Sequence, residues 1–158
     1  MENLSLILWR ERELLELLLY KLEAEQLVLA SARTRWLAMA AREVEAVLGS
    51  IREAEVLRAT TADAAAAAIG LDSNPSLRAL ADAVDEPWKS ILVDHREAFL
   101  AYTTQIMDMA SSNRDLLTVG YQAARDTLMS LGDGADGYAP DGSAVQEERR
   151  YRLVDRSI

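Results

Sequence analysis

The stretch "LSLILWRERELLELLLYKLEAEQLVLA", Leu4 to Ala30, decides the fold. Leu8, Leu15, Leu22 and Leu29 recur every seven residues, and Leu4 and Leu18 stand four residues ahead of Leu8 and Leu22. An α-helix turns once in about 3.6 residues, so apolar side chains spaced in threes and fours form one stripe. The spacing predicts a long helix with a heptad seam. Glu11 and Glu25 interrupt the seam, while Ile7, Leu14 and Val28 widen the apolar face beyond a two-stranded contact. A face of that width suits a bundle, where one helix meets more than one partner.

The same pattern continues downstream. Trp36, Ala40, Val44, Val47, Ile51 and Ala54 step by fours and threes, predicting a second helix from about Arg35 to Ala68 with Thr34 as its cap. A single helix from Leu4 to Ala68 would be roughly 100 Å long, too long for a chain of this size to cover, so a break near Ser31–Thr34 is expected. The alanine run "ADAAAAAIG" closes the segment, with Gly70 placed to end the helix. In "LDSNPSL" Asn74 and Pro75 read as cap and first helical residue of a short helix carrying Leu77, Leu80 and Val84. "DEPW" repeats the device, with Asp85 or Glu86 as cap, and starts a long helix from Pro87 to Leu131. Its seam is Trp88, Leu92, Phe99, Tyr102, Ile106 and Met109, with His95 in the middle; the register runs on through Asn113 and Leu116 and fades at Gly120. A stripe shifted by four residues then takes over: Leu117, Tyr121, Ala124, Leu128 and Leu131.

The expected fold is all-α: an antiparallel bundle of three long helices plus one short helix, packed in the manner of a coiled coil. Residues 1–131 form the bundle domain in this reading. Residues 132–158, which hold four of the seven glycines, form a flexible tail.

Composition narrows the function. With 17 basic and 26 acidic residues the net charge is −9, which repels nucleic-acid backbones and anionic lipid. No uninterrupted apolar window spans a membrane, and the N-terminus lacks the basic region of a signal peptide. There is no cysteine. The single histidine, His95, is read as a partly buried, hydrogen-bonded seam residue rather than a metal ligand or catalytic base. The glycine- and aspartate-rich "GDGADG" lacks the alternating ligands of a calcium loop, because Ala135 stands where one is needed. No catalytic residue, metal or cofactor is expected. Asn113 has two readings: a buried amide that sets helix register, or the point at which the seam ends and the face beyond lies open.

Several blocks together resemble the FlgN family of flagellar type III export chaperones, of the actinobacterial type. They are "LWRERELLELLLYKLEAEQLVL", "RTRWLAMAAREVEAVL", "SNPSLRALAD", "NRDLLTVGYQAARDTL" and the terminal "GYAPDGSAV". The more specific ones are Asn-x-x-Leu-Leu at Asn113–Leu117 and Tyr-x-x-Asp-Gly at Tyr138–Gly142. The resemblance implies a small, non-catalytic cytoplasmic chaperone. It would bind hook-associated (hook–filament junction) proteins, keep their terminal helices from premature association, and deliver them to the export gate. It places client contact on Leu116, Leu117, Tyr121, Ala124 and Leu128, and docking to the gate's cytoplasmic domain on Tyr138, Asp141 and Gly142. The chain departs from the family's Tyr-Gly-x-x-Gly form at Ala139 and Pro140. The rival reading is a helical adaptor or scaffold that forms homo-oligomers through its heptad faces. Weak self-association is compatible with either.

Overall fold

The computed structural model describes residues 1–135. They form α1 (Glu2–Ala30), a 3-10 turn (Thr34–Trp36), α2 (Leu37–Ala68), α3 (Leu77–Asp82) and α4 (Trp88–Ala135). The all-α architecture of three long helices and one short helix holds among the described residues. The chain divides into two compact units, Met1–Thr118 and the remainder from Val119.

Within the first unit α2 runs antiparallel to α1. Leu4 and Leu8 meet Ala62, Ala65 and Ala66 near one end, while Lys21 Nζ lies 2.8 Å from Glu43 Oε2 near the other. Helix α4 runs parallel to α1, with Leu8 clustered with Leu92 and Leu22 bonded to Asn113. Two apolar clusters form the core. One contains Leu4, Leu8, Ala62, Ala65, Ala66, Leu80, Ala81 and Leu92. The alanines let α3 and its fully buried Leu80 approach closely. The other contains Leu14, Leu18, Leu22, Val47, Ile51 and Ala54, with Ile106 and Met109 packed against it. Each fully buried leucine contributes about 2 kcal/mol of transfer free energy.

The predicted break falls at Ser31–Arg33, and Gly70 closes α2 at φ +76°. There the Leu71 N–H donates to the Ala66 carbonyl at 2.9 Å and the Gly70 N–H to the Ala67 carbonyl at 3.3 Å. This is the paired closure that a left-handed residue permits after a helix. Other expectations are corrected. Thr34 does not cap α2; it opens the 3-10 turn, and no side chain caps α2. Trp36 ends that turn and is exposed instead of lying in the seam. The cap of α3 is Ser76, whose hydroxyl accepts from the Ala79 N–H at 3.1 Å. Asn74 instead adopts φ +58° in the preceding loop and donates its N–H to Asp63. Glu86 does cap α4, its carboxylate accepting from the backbone N–H and hydroxyl of Ser90. Helix α4 continues to Ala135 instead of ending at Leu131. Glycine at position 132 costs about 1 kcal/mol of helix propensity but, without an opposing cap, does not stop the helix.

Candidate functional site

The seam of α4 is organised by what α1 and α2 offer it. Leu92 and His95 are buried, and Phe99, Tyr102, Ile106 and Met109 are half-buried at the predicted spacing. His95 differs from expectation. It is 1% exposed, and neither ring nitrogen has a hydrogen-bond partner among the described residues. Its ring meets Trp9 edge-on at 4.9 Å between centroids and lies 6.1 Å from Phe99. The rings of Trp9 and Phe99 pack against the imidazole without hydrogen-bonding either of its nitrogens. Burial lowers its pKa, the Arg12 guanidinium lowers it further, and Asp94 acts weakly the other way.

The two glutamates that break the heptads of α1 both make polar contacts with neighbouring helices. Glu11 is buried, and its Oε2 lies 2.9 Å from Arg58 Nε in an ion pair without hydrogen-bond alignment. Burial raises its pKa, Arg58 opposes the rise, and Glu55 adds to it. Glu25 accepts from Asn113 Nδ2 at 3.0 Å, and the same nitrogen donates to the Leu22 carbonyl at 2.9 Å. Gln26 Nε2 donates to Ser112 Oγ beside it at 2.8 Å. Asn113 thus bridges two helices as the register reading expects, with its Oδ1 buried and unpartnered among the described residues.

Asn113 is also the last buried residue of the described chain. Leu116 is half-buried, and every residue from Leu117 to Leu131 is exposed. Leu117 is 42% exposed, and Tyr121 and Leu128 are each 70% exposed. Leu117, Tyr121, Ala124 and Leu128 follow i, i+4, i+7 and i+11, the spacing of one helical face. Leu116, one residue earlier, is turned about 100° from Leu117. Val119, Met129 and Leu131 are exposed as well. Val119 lies outside the seam arithmetic, so only its exposure reveals it.

Three hydroxyls of this stretch are satisfied locally. Thr118 donates its hydroxyl to the Arg114 carbonyl at 2.9 Å, Thr127 to Ala123 at 2.8 Å, and Ser130 to Thr127 at 2.8 Å. Such back-bonding leaves hydroxyls with no call on a partner helix. Only Arg125 and Asp126 are charged between Leu117 and Leu131. The segment offers an apolar surface that its own polar groups do not screen. Tyr138, Asp141 and Gly142 lie outside the described residues. Among the described residues no helix is long and apolar enough to cross a membrane, and no three His, Cys, Asp or Glu side chains gather as a metal site.

Comparison with known proteins adds one finding. A family profile described as "FlgN protein" matches residues 1–146. No curated protein and no solved structure matches the chain.

Proposed function

The chain belongs to the FlgN family of flagellar export chaperones, and from that premise we propose that it holds hook-associated junction proteins in the cytoplasm through the stretch of α4 from Leu116 to Leu131. The observation that carries this reading is the run from Leu117 to Leu131, helical throughout and exposed throughout. Five large apolar residues lie bare on it at more than 55% exposure: Val119, Tyr121, Leu128, Met129 and Leu131. A surface of that kind fits the apolar face of a second amphipathic helix, read at i, i+3, i+4 and i+7. Terminal helices of filament-forming proteins have such faces, and covering them keeps them apart. The client contact is Leu117, Tyr121, Ala124 and Leu128, with Leu116 at its bundle-side edge. The net charge of −9 keeps a chaperone with this much bare apolar surface dispersed.

Delivery is the second half of the proposal. Tyr138, with Asp141 and Gly142, docks on the cytoplasmic domain of the export gate. It lies beyond the client face in sequence, so one chain can hold a client and be read by the gate. Mass by light scattering tests the binding role against a self-associating scaffold. With a junction protein's C-terminal helix the full chain should form a heterocomplex. A chain that ignores the peptide and oligomerises instead refutes it. Tyr138→Ala should retain the client and lose the gate; retention of both refutes the docking role.

A further inference from the structure

The first unit carries a second surface whose chemistry is the opposite of the chain's average. A groove of about 320 Å³ opens between α2, α3 and α4. Arg58 from α2, Arg78 from α3 and Arg96 from α4 line it over the apolar side chains of Leu77, Phe99 and Leu100. No aspartate or glutamate lines it, although acidic residues outnumber basic ones 26 to 17 in the chain. Leu100 is 55% exposed, so the apolar floor is open to a partner.

The arginines differ in how they are held. Arg58 is anchored through Nε by the buried Glu11, which fixes its guanidinium at the groove wall while its side chain stays 35% exposed. Arg78 makes only a long, solvent-exposed contact with Asp82 at 3.8 Å. Contacts of that kind are worth little and yield readily to a better partner. Arg96 is exposed and makes no ion pair among the described residues. Three guanidiniums from three elements surround an apolar floor; Arg58 is already paired with Glu11, which leaves Arg78 and Arg96 as the forks suited to a partner's carboxylates.

We propose that this groove binds an acidic protein segment anchored by apolar side chains, with Arg78 and Arg96 pairing its carboxylates and Leu77, Phe99 and Leu100 receiving its anchors. The occupant follows from charge complementarity: a protein of net charge −9 repels acidic segments everywhere except where basic groups are concentrated. The site is independent of the Leu117–Leu131 face and differs from it in chemistry. A partner could therefore be gripped at two points, one apolar and one acidic.

The test uses the full chain and short fluorescein-labelled peptides read by anisotropy. The first probe is a glutamate-rich peptide carrying a Leu-Phe pair. The second replaces the pair by serines, and the third replaces the glutamates by lysines. The first should bind, the second should bind at least about tenfold more weakly, and the third should not bind. Binding of the first should weaken as ionic strength rises from about 0.05 M to about 0.2 M. R78E with R96E should abolish it at unchanged helicity, because both side chains are exposed, while L117D with L128D should leave it intact. Arg58 is left alone because Glu11 depends on it. Equal binding of the acidic and basic probes, or full binding by the R78E/R96E chain, overturns the proposal. So does loss of binding in the L117D/L128D chain alone.

Discussion

The side chain of Asn113 on α4 donates to the backbone carbonyl of Leu22 on α1 at 2.9 Å and to the Glu25 carboxylate at 3.0 Å. One amide nitrogen therefore ties two helices at the last buried layer of the described chain. Up to that layer α4 is a core helix, and from one turn later every residue from Leu117 to Leu131 is exposed. A polar tie at this point sets the alignment of α4 against α1, at some cost in stability, as a single buried asparagine does in coiled coils.

The Glu11–Arg58 pair separates the two apolar clusters, and its two members differ in what their loss costs. Arg58→Ala strands a buried carboxylate and should destabilise the chain by about 3 kcal/mol, the low end for a broken buried pair because Arg58 is partly exposed. Glu11→Leu with Arg58→Met joins the clusters across an apolar layer and should unfold within about 1 kcal/mol of wild type or above it. Denaturant midpoints of the three proteins check this. A double variant as unstable as the single one would mean that the pair holds the bundle by more than mutual compensation.

His95 makes stability depend on pH near neutrality. Its folded pKa is lowered, so between the ordinary value of 6.5 and the folded value the unfolded chain binds a proton that the native chain does not. Stability is full above pH 6.5 and falls with acidification through that window, by at most about 1.4 kcal/mol per pH unit. Glu11 acts oppositely and lower: its raised pKa makes protonation favour the folded state as pH falls through the window above 4.5. Since His95 is the only histidine, comparing wild type with a His95 variant in thermal unfolding at pH 7.5 and 5.5 isolates it from Glu11. Wild type should lose stability between the two, and His95→Leu should lose much less.

Gly120 tests how the exposed helix is poised. A Cβ built there meets nothing within 4 Å. Gly120→Ala should therefore strengthen this stretch by about 0.5–1 kcal/mol through helix propensity alone. Amide exchange from Leu117 to Leu131 should slow by a few-fold, with client affinity kept. Faster exchange would show that the glycine serves a packing role.

Helix number, the break at Ser31–Arg33 and the closure at Gly70 were legible in the sequence, because each follows from periodicity or a residue's backbone preference, whereas for Asn113 the sequence left open a register tie and the end of the seam. Two of the three caps were not legible: Thr34 and Asn74 have the right chemistry, but Ser76 takes the α3 role while Asn74 bonds across to Asp63, and only Glu86 of α4 was foreseen. Spacing alone could not tell a seam position that finds a partner, such as Glu11, from one that finds none, such as His95. The four-residue step from Asn113 to Leu117 was visible, yet only burial separates a face that changes partner from a face left bare. The arginine groove was invisible in one dimension, since its three charges come from three elements and each looks solvated in its own.

The central claim is that the bare face of α4 holds the client. Its most direct measurement is the affinity of the full chain for a junction protein's C-terminal helix, by calorimetry, for wild type and for Leu117→Asp with Leu128→Asp. Both positions are exposed, so helicity should not change. Burying two carboxylates against an apolar helix should cost well over 1.4 kcal/mol, and affinity should fall at least about tenfold. Wild-type affinity in the double variant would contradict the account.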